Sequence, residues 1–195
     1  AVISALSMHC EQAPEMLDIT GEIVRALVLY SVAEFQAGHA KTIRVDARDR
    51  SFTVADDGRG HAIERTIGGA PYLEFVYTHL AYPFATGQSA PIQLQAIGIS
   101  LANKLCAELS VTARKPTATL VVSFQNGLRV DEALVNVASE VSGNTISGVV
   151  NPQLQAAETD THALHQWLIR VLAASVGLRM VFNGVELRAP ANEPA

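Results

Sequence analysis

One short stretch, Val54-Ala-Asp-Asp-Gly-Arg-Gly60, holds the side chains that are best placed to do chemistry. It follows a predicted strand over residues 51–55, and two carboxylates stand where that strand ends. Gly58 and Gly60 allow a sharp turn and let another group come close to the backbone. The stretch therefore predicts a fixed carboxylate beside a loop that admits a ligand. The alternative is an ordinary Asp-Gly hairpin turn.

The composition narrows the class of protein. The chain has 195 residues, of which 49% are apolar and 17% charged, and this predicts a folded domain with a sizeable core. The net charge of −5 argues against general nucleic-acid binding, because phosphates favour a basic surface. No run of about 18 apolar residues is present to span a bilayer, and residues 1–10 lack the order of a secretion signal. Cys10 and Cys106 are too few for a disulfide scaffold or a zinc site. We therefore expect a cytoplasmic protein that binds neither membranes nor nucleic acid directly.

The elements that must position the Asp-Asp stretch are helices and strands in separate runs. Apolar residues at helical spacing predict helices, and alternating segments bounded by turn residues predict strands. The predicted helices cover 20–37, 71–81, 94–106 and 161–176, with loops at 61–69 and 82–91; the predicted strands cover 41–47, 51–55, 107–113, 118–125, 128–133, 144–150, 178–182 and 185–188. This order predicts an α/β (α+β) two-layer sandwich, with a mixed, mostly antiparallel sheet and helices on one face. We expect residues 1–188 to form a single domain and residues 189–195 a disordered tail or the start of a linker.

Three blocks in this order resemble the N-terminal ATP-binding domain of gyrase B and topoisomerase IV B subunits, a GHKL-type domain with the Bergerat fold. The first block joins Ala37-Gly38-His39 to the Asp-Asp-Gly-Arg-Gly stretch. The second is the segment 72–81, which Phe84 follows after a short gap, and the third is the segment 94–105. The similarity spans roughly residues 14–188 and implies the Bergerat fold.

The resemblance implies an adenine pocket at the end of the predicted strand. The family's acidic residue that reads the adenine amino group would be Asp56, and Gly58 would let the base lie against the backbone. Glu34 and Arg59 match a charged pair that meets across the base pocket. Thr145 matches a threonine that helps to bind water beside the adenine and the carboxylate.

The catalytic positions on the first helix depart from the family. In the family, a glutamate on this helix acts as general base, and an asparagine one turn further on binds magnesium. In this chain the two positions hold Ala26 and Tyr30. A methyl group cannot accept a proton, and a phenol is a poor magnesium ligand at neutral pH. Glu22 lies one turn earlier, but its use would slide the helix by four residues. We therefore expect no catalytic residue and no metal ligand, with Tyr30 lining the pocket.

The phosphate-binding loop also departs from the family's glycine-rich pattern. It reads Ile92-Gln-Leu-Gln-Ala-Ile-Gly98, in which Gly98 alone keeps the family's glycine. Side chains in such a loop block the close approach of a triphosphate. Pro83 stands where family members have a lysine. Arg114 and Lys115 are the remaining cations to consider, and we expect both to be solvated strand ends.

Two functions follow from these expectations. The first is a degenerate gyrase-B-like domain without ATPase activity. It would bind at most an adenine nucleotide or nucleoside without magnesium, and it would act as a binding or interaction module with an unknown protein partner or as a homodimer. The alternative is a working ATPase domain of a type II topoisomerase-like protein. His162 and His165 have metal-compatible spacing, but no third ligand is evident, and we expect a solvated helix face.

Overall fold

The computed structural model describes residues 18–79, 99–135, 140–155 and 158–189. Four helices lie in these ranges: α1 (Ile19–Gln36), α2 (Tyr72–Thr78), α3 (Ile99–Leu105) and α4 (Thr161–Ala173). The strands in these ranges are β1 (Thr42–Arg48), β2 (Ser51–Asp56), β3 (Thr66–Ile67), β4 (Ala70–Pro71), β5 (Cys106–Arg114), β6 (Thr119–Gln125), β7 (Leu128–Val135), β8 (Gly143–Val150), β9 (Arg179–Phe182) and β10 (Val185–Glu186).

Eight strands form one sheet in the order β10-β9-β1-β2-β8-β5-β6-β7. Neighbouring strands run antiparallel except for β1 and β9, which are parallel. This confirms the mixed, mostly antiparallel sheet that the sequence predicted. β3 and β4 form a second, two-stranded sheet. We had expected residues 61–69, which include β3, to be a loop. The reason is the Gly68-Gly69 pair, because both glycines have positive φ and make a two-residue hairpin turn.

Helices cover one face of the large sheet, and the core lies between the two layers. Side chains alternate along the central strands, so that apolar residues face the helices and hydroxyl-bearing residues such as Thr53 and Ser147 face away. The buried strand residues are Val45, Val54, Leu109, Val111, Val122 and Ile146, and α1 contributes Ile23, Val24, Leu27 and Val28. The predicted two-layer architecture is therefore confirmed.

The ends of α1 fix which of its side chains reach the site. Asp18 is the N-cap and accepts a hydrogen bond of 2.9 Å from the Gly21 N–H. Thr20, with which the predicted helix began, is a buried residue within the helix, and its hydroxyl donates to Gln155. The helix ends at Gln36, and Gly38 takes the positive φ of 80° that releases the chain toward β1.

Two helices end earlier in the structure than the sequence predicted. α2 ends at Thr78 rather than near residue 81, because His79 is extended. α4 ends at Ala173 rather than at residue 176. The predicted loop at 82–91, the phosphate-binding loop with Gly98, and all but the first residue of the tail at 189–195 lie outside the described residues. None of the helices in the described ranges combines the length and the apolar character needed to cross a membrane.

Candidate functional site

Asp56 ends β2 beneath α1, and its carboxylate is buried with 5% of the residue exposed. Its Oδ2 accepts a hydrogen bond of 2.9 Å from the Ser31 hydroxyl. Its Oδ1 accepts from the Gly58 N–H at 2.9 Å and from the Asn144 N–H at 3.4 Å. An ionised carboxylate offers about four acceptor positions, so these three bonds leave room for one further donor.

The protonation of Asp56 reflects two opposing effects. Burial raises the pKa of Asp56 above its ordinary value, and the hydrogen bonds from Gly58, Ser31 and Asn144 oppose that rise. Ser31 was not predicted from the sequence, although it lies three residues before Glu34 on α1 and thus on the same side of the helix. These three donors hold the carboxylate in a fixed direction.

The second carboxylate of the stretch, Asp57, has a structural role. Its Oδ1 accepts hydrogen bonds from the N–H groups of Lys41 and Thr42, at 2.7 and 2.8 Å. These bonds tie the end of β2 to the start of β1. Asp57 therefore links two strands, whereas Asp56 faces the buried side under α1.

Gly58 lies where the backbone comes closest to this acceptor. A Cβ atom at this position would stand 3.0 Å from Asp56 Oδ1 and 3.2 Å from Glu34 Oε2. A side chain here would press on both carboxylates, so a glycine is needed for the close approach of the backbone to Asp56 and Glu34.

Glu34 and Arg59 meet beside Gly58, as the resemblance implied. Arg59 donates to both carboxylate oxygens of Glu34, with Nε to Oε2 at 3.1 Å and Nη2 to Oε1 at 2.7 Å. The hydrogen bonds from Arg59 lower the pKa of Glu34. The Arg59 side chain is 48% exposed, so the pair contributes at most about 1 kcal/mol to stability. Its two-point geometry sets the direction of both side chains.

Thr145 does not contact Asp56, although we expected it beside this carboxylate. Asn144 lies there instead, and its N–H donates to Asp56. Thr145 faces the uncovered side of the sheet, where its hydroxyl accepts a hydrogen bond of 2.9 Å from Arg114 Nη1. Asn144 is 2% exposed, and its side-chain oxygen accepts from the His61 N–H at 2.9 Å. The strand alternation explains the one-residue error, because Asn144 shares a face with the buried Ile146.

His61 is a buried residue of the site that sequence reasoning missed. Its Nε2 lies 3.2 Å from the Tyr77 hydroxyl, and its ring packs edge-on against the Tyr77 ring. Burial lowers the pKa of His61 to about 4, and the charge of Lys115 adds to the effect. The imidazole is therefore neutral at pH 7.

Ala26 and Tyr30 occupy α1 at the positions where the resemblance implied a general base and a magnesium ligand. Ala26 is 7% exposed, and the Tyr30 ring lies 5.7 Å from the His61 ring. Burial raises the pKa of Tyr30, and the charges of Tyr72, Glu34 and Asp56 raise it further. The phenol is therefore protonated at neutral pH, and these residues do not fit a magnesium ion.

The remaining carboxylate near these positions, Glu22, is engaged elsewhere. It pairs with Arg25 on the same helix, and the Arg25 guanidinium lies 6.0 Å from the centre of the Trp167 ring. Within the described ranges, no group of three or more His, Cys, Asp or Glu side chains is arranged to hold a metal ion. His162 is exposed, and the ring of His165 lies 6.0 Å from that of Phe182.

Arg114 and Lys115 are not the solvated strand ends that we expected. Arg114 donates to Thr145, and Lys115 Nζ donates to the backbone oxygens of Arg59 and Gly60, at 2.9 and 3.0 Å. The expectation was wrong because the three partner residues, Thr145, Arg59 and Gly60, lie 31, 56 and 55 residues away in the sequence. Lys115 belongs to the frame of the site, whereas Arg114 lies with Thr145 on the uncovered face of the sheet.

Comparisons with known proteins agree with this geometry. No protein-family model matches the chain. Over 116 residues, or 54% of the chain, it is 32% identical to the B subunit of DNA topoisomerase 4 from Salmonella typhimurium, of which the match covers 18%. Over 137 residues, or 68% of the chain, it is 31% identical to the B subunit of DNA gyrase from Enterococcus faecalis, of which the match covers 21%. The chain thus spans about a fifth of the length of these relatives.

A solved structure shows the same fold. The topoisomerase IV ATP-binding domain of Francisella tularensis, in complex with a small-molecule inhibitor, superposes with a TM-score of 0.69 and 22% identity. The match covers 82% of this chain and 79% of that one. The resemblance that the motifs predicted is therefore confirmed: the chain has the Bergerat fold and is a GHKL-type, gyrase-B-like domain, similar in sequence to the B subunits of gyrase and topoisomerase IV.

Proposed function

We propose that this domain binds an adenine nucleoside or nucleotide without magnesium and does not hydrolyse ATP. It serves as a binding or interaction module rather than as an ATPase. The observation that carries the proposal is the contrast between two parts of one site. The Asp56 carboxylate keeps three hydrogen-bond donors around it, whereas α1 presents Ala26 and Tyr30 at the positions for a base and a metal ligand.

The purine side of the site, made of Asp56, Gly58, Ser31 and Asn144, suits an exocyclic amino group. The remaining acceptor position on the Asp56 carboxylate takes the N–H of the amino group. Gly58 carries no side chain, which, as the resemblance implies, lets the base lie against the backbone. The Francisella neighbour is an ATP-binding domain, which supports adenine as the base.

The metal side of the site, made of Ala26, Tyr30 and His61, does not suit a magnesium triphosphate. Phosphoryl transfer depends on metal ions and on charge stabilisation, and Ala26 offers neither a base nor an anion. Loss of a general base alone typically lowers a rate by about 10²–10⁴-fold. Loss of the metal ligand adds to this, so the domain has no useful ATPase activity.

The relatives are named as subunits, which favours a role in an assembly. A protein partner or a second copy of the chain is therefore the proposed context for the module. The net charge of −5 opposes direct binding of nucleic acid by this domain.

Isothermal titration with adenosine tests the proposal. We expect binding to the wild-type chain and affinity at least about tenfold weaker for Asp56→Asn, because an amide can present N–H groups to the ligand's own donor. Asp46→Asn, a change at an exposed aspartate of β1, is the matched control and should bind like the wild type. Absence of adenosine binding by the wild type, or equal affinity in Asp56→Asn, would overturn the proposal.

A further inference from the structure

Lys115 reaches the backbone of the site loop, which we define as residues 57–61. This lysine follows the end of β5, and its Nζ donates to the carbonyl oxygens of Arg59 and Gly60, at 2.9 and 3.0 Å. An ammonium group has three donor positions, and two of them serve successive carbonyls of one loop. Lys115 thus fixes the direction of two peptide groups at once.

The loop lies directly on the strand end that precedes this lysine. Gly60 has a φ of 71°, and a Cβ atom there would stand 2.6 Å from the Arg114 carbonyl oxygen. On the other side, the Ser142 hydroxyl donates to the Gly58 carbonyl oxygen at 2.7 Å. Carbonyls of three successive residues are therefore held by side chains from outside the loop.

Three N–H groups of the same loop donate to residues of the site. Gly58 donates to Asp56, Arg59 donates to Glu34 at 3.3 Å, and His61 donates to Asn144. The carbonyls of the loop thus bind Lys115 and Ser142, whereas these N–H groups bind Asp56, Glu34 and Asn144. Release of the carbonyls would let the N–H groups turn away from their acceptors.

We propose that Lys115 is a positioning residue, which holds the site loop in the conformation that seats an adenine-type base. The inference deepens the proposed function and rests on it for the identity of the ligand. Lys115 does not touch the base; it acts through the carbonyls of Arg59 and Gly60. Its loss weakens the order of the loop first and ligand affinity as a consequence.

Amide hydrogen exchange measured by NMR on the ligand-free chain tests the positioning role. We expect the N–H groups of Gly58, Arg59 and His61 to exchange about tenfold faster in Lys115→Met than in the wild type. Lys115→Arg should restore slow exchange, because a guanidinium can donate to both carbonyls. Lys104→Met removes the same charge from an exposed site on α3 and should match the wild type.

The exchange of Val54 and Ile146 N–H groups, in the central strands β2 and β8, separates a local effect from a global one. Loop exchange within twofold of wild type in Lys115→Met would overturn the inference. Equal acceleration of the loop and of the central strands would also overturn it, as would failure of Lys115→Arg to restore slow exchange. If Lys115→Met does not fold, Lys115→Gln is measured in the same way.

Adenosine titration completes the test. We expect about tenfold weaker affinity in Lys115→Met and recovery in Lys115→Arg. A wild-type chain that binds no adenosine would contradict the proposed function, whereas the exchange rates would still decide whether Lys115 holds the loop. Normal affinity in Lys115→Met, beside a wild type that binds, would overturn the link between loop order and binding.

Discussion

The rings of Tyr30 and His61 lie beside each other, with centres 5.7 Å apart and planes inclined by 35°. Tyr30 comes from α1, and His61 comes from the end of the site loop. Tyr77 meets His61 from α2, and its hydroxyl lies 3.2 Å from the His61 Nε2. Rings thus surround Tyr30, at whose position the resemblance implied a metal ligand, while Asp56 has polar partners.

The affinity for adenosine should fall with decreasing pH. Ionised Asp56 accepts the amino group, and protonation adds a hydrogen that competes for this position. Because burial raises the pKa of Asp56, the loss should begin at a higher pH than for an ordinary aspartate. Titrations between pH 7.5 and pH 4.5 measure the effect on the wild type, with adenosine itself uncharged through most of that range. An affinity that stays constant to pH 4.5 would contradict this role for Asp56.

Ser31→Ala should weaken adenosine binding by about three- to tenfold at pH 7. The substitution removes a donor to Asp56, which raises the pKa of that carboxyl further and loosens its orientation. The pH at which binding is half lost should therefore shift upward. Ser110→Ala, on the uncovered face of the sheet, is the matched control. Identical titration curves for the two serine variants would contradict the role of Ser31 in orienting the Asp56 carboxylate.

The unfolding free energy should depend on His61 between pH 6.5 and pH 4. The folded state holds the imidazole neutral with a pKa of about 4, whereas the unfolded chain binds the proton near pH 6.5. The contribution of neutral His61 to the unfolding free energy is therefore complete above pH 6.5 and decreases as the pH falls toward 4. The raised pKa of Asp56 acts in the opposite direction.

Urea unfolding of the wild type and of His61→Gln, at pH 7 and pH 5, isolates the histidine. The wild type should lose about 2 kcal/mol more than the variant between these two values. Glutamine keeps a group that can bond to the Tyr77 hydroxyl but has no proton to gain in this range. Parallel losses in the two proteins would show that His61 does not titrate as described.

Ala26→Glu should destabilise the fold by about 3 kcal/mol, because it places an unpaired carboxylate on the buried side of α1. Ala33→Glu, at a half-buried position of the same helix, should cost less. Urea unfolding at pH 7 compares the two. A loss below about 1 kcal/mol for Ala26→Glu would mean that the site still has room and solvent for a catalytic acid, contrary to our account.

The parts of the site that were predicted come from a local motif and from the family resemblance. The carboxylate that ends β2 and the glycine turn after it follow from a strand-loop motif. The pairing of Glu34 with Arg59 was implied by the resemblance, and the structure contains it. Whether these residues bind adenine stays a prediction. The sheet was also predictable, because alternation and the Asn126-Gly127 turn are local signals.

The parts that the sequence did not predict depend on contacts between distant segments. His61 turns inward because Asn144, which is 83 residues away, accepts its N–H. Lys115 donates to the carbonyl oxygens of Gly60 and Arg59, which lie 55 and 56 residues away in the sequence. Asn144 itself had a usable signal, since Ile146 marks the buried face of β8 and shares that face with Asn144 rather than with Thr145. The match of residue type to the family had favoured Thr145 as the neighbour of Asp56. The alternation of buried residues along β8 identifies Asn144 instead.

The most direct measurement compares ATP binding by the purified chain in excess magnesium and in EDTA, by calorimetry, with phosphate release followed on the same samples. Because Ala26 and Tyr30 supply neither a base nor a metal ligand, we expect the two affinities to agree within threefold and phosphate release to stay at the uncatalysed rate. ATP binding that magnesium tightens tenfold or more, with phosphate release that Asp56→Asn abolishes, would contradict the account.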